Sequence, residues 1–269
     1  MKNHQLHKFH IPVMGLGYTI DTPFKIARFG ISSVVSIIED NLIEQMREIY
    51  CSKENEEYIP IYSKDEDYRA KRITAYLNLL DRIVKKQVDK LKCEPFENGN
   101  DIIKYFELLP EDSSLKQVYF KMRNANGGTK DILQNQLREN IFPGSIDVNI
   151  MTKLDKTNYS EKGEKLSVEY CDAMAALRGF ALSNLSSSIV FSAGMNPRLY
   201  SYCMSYSDFF PDENNILVKK IILKVSDYRS ALTQGKFFAK KGLWVSEYRI
   251  ESGLNCGGHV FPTQGYLLG

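Results

Sequence analysis

The chain alternates, along its length, between short apolar runs and helical patterns. The runs are rich in β-branched residues and too short to be core helices. Phe9 to Met14 is the first, and Gly15-Leu-Gly17 follows it. Asp21 or Thr22 then caps a short helix with Pro23 at its first position, which closes at Gly30. Ile31-Ser-Ser-Val-Val-Ser-Ile-Ile38 is the second run, without clean alternation, as expected of a parallel strand covered on both faces. Ser145 to Met151, Ser187 to Ser192, Lys220 to Val225 and the stretch from Trp244 complete a set of six. Strands separated by helices predict a parallel sheet with helices outside it, an α/β fold.

Between the second and third strands the pattern changes. Residues 39–142 read as helices: Asn41 to Tyr50, Asp65 to Lys92, Asp101 to Leu109 and Ser114 to Met122, with Asn126-Gly127-Gly128 as a break. In the longest, Ile73, Tyr76, Leu77, Leu80, Ile83, Val84 and Val88 keep one face apolar. This block is expected to be a helical insertion or cap, leaving 1–38 and 143–269 as the sheet domain. Further helices are expected over Val168 to Leu185, over Pro197 to about Phe210, and over Tyr228 to Lys241. The last is capped by Asp227, with Ala231, Leu232, Phe238 and Ala239 on its apolar face.

Composition narrows the function classes. A formal net charge of +2 with no long basic run offers nothing to nucleic acid. No run approaches the roughly 18 apolar residues of a membrane span. The polar N-terminus lacks the apolar core of a signal peptide, and five scattered cysteines without CxxC spacing read as reduced thiols. A cytoplasmic protein acting on a small-molecule substrate is the expectation.

Ligand sites in parallel α/β folds lie at the carboxyl ends of the strands. Here those ends carry Gly15, Asn149, Ala193-Gly194, Lys224 and Gly257-Gly258. No strand is followed by GxGxxG or GxxxxGK[ST], which argues against the usual dinucleotide and P-loop sites. The final stretch is the richest: a strand with Val245, Tyr248 and Ile250 runs into Gly253 and then Gly257-Gly258-His259. Paired glycines let the backbone approach a ligand, and a histidine beside them can transfer a proton near neutral pH.

The order, spacing and loop residues resemble the FMN-dependent (β/α)8 TIM barrels of the nitronate monooxygenase (nitropropane dioxygenase) family. Ile11-Pro-Val-Met14-Gly15 is similar to that family's Pro-x-x-Met-Gly start, and Val148-Asn149 to its strand ending in Val-Asn. Asn255-Cys-Gly-Gly-His259 is similar to its Glu-Ala-Gly-Gly-His motif, with Asn and Cys replacing Glu and Ala. The resemblance covers residues 10–38 and 145–269. It implies an FMN-dependent oxidoreductase that oxidises a carbon acid such as a nitronate. It also implies Met14 and Gly15 beside the flavin ring, Asn149 hydrogen-bonded to FMN, and Lys224 near its polar edge. Gly257 and Gly258 would admit the ligand, and His259 would move the proton or hold the substrate. The chain reaches Gly269 soon after its sixth strand. The implied barrel is therefore incomplete, with about six β/α units and without the strands whose glycine-rich loops hold the FMN phosphate in the family. A truncated gene product or fragment, completion by another segment or a homo-oligomer, and an open sheet all fit.

Other readings stay open. Lys224, or more weakly Lys153, offers a Schiff-base amine for an aldolase or isomerase. Cys256-x-x-His259 has ligand-like spacing, but two ligands do not make a metal site and none is expected. A barrel fragment acting through protein contacts, with the helices of 39–142 as its surface, is the non-enzymatic alternative. The alternately spaced Arg249 and Glu251 suit either a lumen ion pair or plain solvation.

Overall fold

In a computed structural model, residues 7, 9–12, 19–37, 39–151, 157–160, 162–192 and 194–251 are described. They form an α/β fold around a six-stranded, wholly parallel sheet whose spatial order is the chain order. The strands are β1 (His10–Ile11), β2 (Ser32–Ser36), β3 (Ile146–Met151), β4 (Ser188–Ser192), β5 (Lys220–Val225) and β6 (Val245–Ile250). Neighbours in sequence are neighbours in space, and the sheet curls into a half-barrel. The α-helices among the described residues are α1 (Thr22–Ile26), α2 (Asp40–Lys53), α3 (Tyr68–Cys93), α4 (Asp101–Glu107), α5 (Ser114–Asn124), α6 (Gly127–Glu139), α7 (Asp172–Ala181), α8 (Pro197–Tyr202) and α9 (Tyr228–Ala239).

The convex face of the sheet carries the main core. Val35, Val148, Ile150, Ile189, Phe191, Ile221, Leu223 and Val225 point outward at period two and are covered by helices. α3 supplies much of that cover through Ile73, Tyr76, Leu77, Leu80, Ile83 and Val84, all buried as their spacing requires. α7 lies close against α3: a Cβ on Gly179 would stand 2.6 Å from Ile73 Cγ2, and Thr74 Oγ1 donates to Gly179 O at 3.0 Å. The far end of α3 continues into a second core with α4, α5 and α6, where Phe106 stacks between Phe96 and Tyr119. The helices between β2 and β3 are thus continuous with the sheet's own core through α2 and α3.

Polar side chains fix the segment joining α2 to α3. Glu44 accepts from Tyr58 Oη and Ile61 N, both at 2.9 Å. Arg72 bonds Ile61 O at 2.9 Å and Asp40 at 2.8 Å, and Asp67 pairs with Arg178 of α7. These ions are mostly buried, so each is matched by a partner within hydrogen-bond range.

Several expectations from pattern alone are corrected. Gly127-Gly128 does not break the chain; it opens α6, with Gly127 at φ +55 and Leu137 as the helix's buried anchor. The stretch after Pro197 is helical only to Tyr202 and then tightens into two 3₁₀ turns, Cys203–Ser205 and Ser207–Phe209. The helix expected from Val168 starts at Asp172, because Cys171 is extended at ψ 157. On α9 the buried positions are Gln234 and Phe238, while Leu232 is exposed. Gln234 is drawn inside because its Oε1 accepts from Tyr200 Oη at 2.6 Å.

Gly144 sets the entry to β3. Its N–H donates to Ala27 O at 2.8 Å, and a Cβ there would stand 2.0 Å from Ile31 O. Gly144→Ala is therefore expected to lower unfolding free energy by more than about 2 kcal/mol in urea titrations, by forcing β3 away from the α1–β2 turn. Lys219, just before β5, is fully buried and donates to Ser183 O, Leu185 O and Ser183 Oγ. Burial pulls its amine from the ordinary 10.5 down to about 8. Between those values the unfolded chain binds the proton more readily, so this group's contribution to stability rises with pH. Unfolding measured from pH 8 to 10.5 should show that slope, and Lys219→Met should flatten it.

Candidate functional site in the concave face of the sheet

Alternation along the strands decides what lines the interior. Val35 and Val148 point out to the helices, so their neighbours Val34, Ser36, Asp147 and Asn149 point in. By the same register Ser188, Val190 and Ser192 of β4, Ile222 and Lys224 of β5, and Glu247 and Arg249 of β6 face inward. Val34, Val190 and Ile222 meet as a small apolar cluster of their own. The next inward side chains toward the carboxyl ends of those strands are Ser36, Ser192 and Lys224, and on β3 Asn149. By register Ser36 and Asn149 stand level with Val190 and Ile222, and Ser192, Lys224 and Arg249 follow two residues further along their strands.

Ion pairs cross this interior. Arg249 Nη2 bonds Asp147 Oδ2 at 3.1 Å, and Arg249 Nε bonds Glu247 Oε1 at 2.6 Å. Asp147 is fixed further by Ser145 Oγ at 3.0 Å and Ser188 N at 3.2 Å. β3 and β6 lie three strand intervals apart, so in a flat sheet these side chains would rise side by side roughly 14 Å from each other. Their contact follows from the curl. Lys224 Nζ pairs with Glu251 Oε1 at 2.7 Å. Sequence spacing paired Arg249 with Glu251 as one alternative; instead each takes a partner on another strand.

His10 belongs to the same interior. Ile11 packs outward on the second core, so His10, register partner of Ser32, faces inward from β1. It is half-buried. Burial lowers its pKa below 6.5, Arg249 and Lys224 lower it further, and Glu247 and Asp147 pull it back up. The imidazole is thus predominantly neutral at pH 7.

Two of the sequence-predicted site residues fall within the described structure. Asn149 is 1% exposed and its Oδ1 has no hydrogen-bond partner; Ser36 Oγ beside it on β2 is likewise buried and unpaired. Lys224 is on the inward face of β5. The structure brings Asn149 and Lys224 to one face. Met14, Gly15, Gly257, Gly258 and His259, with Lys153, Asn255 and Cys256, lie outside the described residues. Among the described residues no group of three or more His, Cys, Asp or Glu could hold a metal, no helix is long and apolar enough to cross a membrane, and no disulfide joins Cys51, Cys93, Cys171 and Cys203.

Sequence reading passed over Ser36, Asp147, Glu247 and His10. A signal for Asp147 was present: Asp and Asn are poor strand formers, yet Asp147 and Asn149 stand two apart in an otherwise apolar strand, which marks a polar inward face. His10 was hidden by its place in a histidine-rich leader and by a strand of only two residues. Comparison with known proteins finds no match: no family model, no curated protein and no solved structure corresponds to this chain.

Arg249→Met would leave Asp147, which is 5% exposed, without its cation. A loss of about 2–3 kcal/mol in chemical denaturation is expected, and Asp147→Asn combined with it should recover part of that loss.

Proposed function

We propose that the concave face binds FMN and that the chain is a flavin-dependent oxidoreductase of the nitronate monooxygenase type, acting on a small carbon acid. One observation carries this reading. Asn149 presents an amide oxygen that is almost fully buried and unpaired, next to an unpaired Ser36 hydroxyl and level with Val190 and Ile222 on the inward face. An orphaned buried acceptor costs about 1–3 kcal/mol unless a ligand supplies the donor.

The residues fit the group. The pyrimidine edge of a flavin carries one N–H donor among several acceptors. Asn149 Oδ1 suits that N–H, and the Ser36 hydroxyl and Lys224 ammonium suit the acceptors. The apolar cluster of Val34, Val190 and Ile222 gives the ring a dry floor. FMN, when bound, supplies the two-electron redox chemistry that side chains lack.

The chain's own residues do the rest. Asn149 and Ser36 orient the ligand through hydrogen bonds made in a water-poor site. Lys224 and Arg249 place positive charge where negative charge develops, each held in position by carboxylates. The loop motif ending in His259 supplies a proton-transfer group or a ligand for an anionic substrate.

The visible spectrum tests the reading. Purified chain mixed with FMN and desalted should keep a flavin band near equimolar occupancy. Asn149→Leu, with unchanged circular dichroism, should weaken FMN binding at least tenfold. No retained flavin, or full retention by Asn149→Leu, would remove the flavin assignment and bring the Schiff-base and protein-contact alternatives forward.

A further inference from the structure

We propose that the cavity between the loops following β3 and β4 binds a phosphate-type oxoanion, either free or as the phosphoryl group of a larger ligand. The inference does not use the flavin reading.

The cavity has a volume of about 160 Å³. Pockets that enclose whole ligands run to roughly 300–1,000 Å³, so this one has room for a small polyatomic group and not for a cofactor. Thr157, Lys165 and Ser167 line it from the β3–α7 connection, and Arg198 from the first turn of α8. Val168 and Cys171 supply apolar wall. Both connections leave the carboxyl ends of their strands, the side of a parallel α/β sheet at which ligands gather.

The donors stand on anchored backbone. Tyr159 and Lys165 pair as an antiparallel bridge, Leu166 N donates to Asn158 O at 2.9 Å, and Ser160 N donates to Glu164 O at 2.8 Å. Lys165 is thus carried on a small hairpin. Buried Asn158 fastens that hairpin to the start of α7, donating to Tyr170 O at 2.5 Å and to Asp172 Oδ1 at 3.0 Å. Arg198 follows Asn196, whose Oδ1 accepts from Leu199 N at 3.0 Å, and Leu199 is buried in the main core. Both cations are exposed, so a ligand reaches them from solvent.

Charge decides the class of ligand. Lys165 and Arg198 bring two positive charges to one cavity, and among the described residues no carboxylate lines it. Cys171 is also the N-cap of α7 and makes no side-chain capping bond, so the positive end of that helix borders the same space. The Asp172 carboxylate at the start of α7 accepts from Asn158 and pairs with Arg69 at 3.2 Å. Like charges gathered in this way repel until an anion sits between them. Phosphate carries close to two negative charges at neutral pH, and its tetrahedral oxygens can meet donors arriving from two loops. A guanidinium takes two of those oxygens side by side. The lysine ammonium and the hydroxyls of Thr157 and Ser167 suit the others. A carboxylate offers less charge and only two oxygens in one plane.

The test is inorganic phosphate titrated into the full chain at constant ionic strength, without flavin, followed by calorimetry and by the thermal midpoint. Saturable binding in the millimolar range and a rising midpoint are expected. Lys165→Gln and Arg198→Gln, each with wild-type circular dichroism and an unchanged midpoint without phosphate, should each weaken binding roughly threefold or more, and together roughly tenfold or more. Lys162→Gln removes a positive charge from the same hairpin outside the cavity and should leave the affinity unchanged. Methyl phosphate separates the two sources. Affinity equal to or above that of phosphate assigns the site to a phosphoryl group on a larger ligand, and weaker affinity assigns it to the free ion. No saturable binding, undiminished binding by the double variant, equal weakening by Lys162→Gln, or acetate bound as tightly as phosphate would each overturn the assignment.

Discussion

The sheet curls around charges that meet on its concave side. Arg249 reaches from β6 to Asp147 on β3 while also holding Glu247, and Asp147 is fastened in turn to the start of β4. In a parallel sheet the outward side chains can satisfy themselves with any helical cover, whereas inward ones must find partners within the arc. With six strands that interior is small enough for a guanidinium and a carboxylate three strands apart to touch.

The outward side sets a complementary constraint. α3 lies over the sheet with its apolar stripe down and is held to α7 at Gly179. The buried acids and arginines around residues 54–67 then secure the polypeptide between α2 and α3. The helical layer is thus fixed by close apolar packing on one side and by ion pairs on the other. The strands are left free to carry polar groups inward without losing their support.

Much of this was legible in the sequence, for identifiable reasons. Lys220–Val225 and the buried stripe of α3 follow directly from alternation and from i, i+3, i+4 spacing. Asn149 was singled out late in its strand, and it lies buried on the inward face. What escaped was set by tertiary partners. Gly127-Gly128 looks like a break by local propensity, yet the helix that starts there is secured further along by Leu137 in the second core. Gln234 was passed over as polar and is buried by one hydroxyl from α8. Arg249 and Glu251 suited either an ion pair or plain solvation by their spacing, and the structure pairs each with a residue of another strand. Spacing shows which face a residue takes; it does not show what lies across a curved sheet.

α3 belongs to both cores, and this has a mechanical consequence. At about 1.5 Å per residue its 26 residues make a rod of roughly 39 Å, seated at one end on the sheet and at the other among α4, α5 and α6. Its last buried residues, Val88 and Leu91, sit with the second core, and those from Ile73 to Val84 with the first. Phe29, Ile31 and Ile11 also pack into the second core, so opening of the outlying helices would strip cover from the starts of β1 and β2 as well as from the final turns of the rod, while the part that backs the concave face stays clamped.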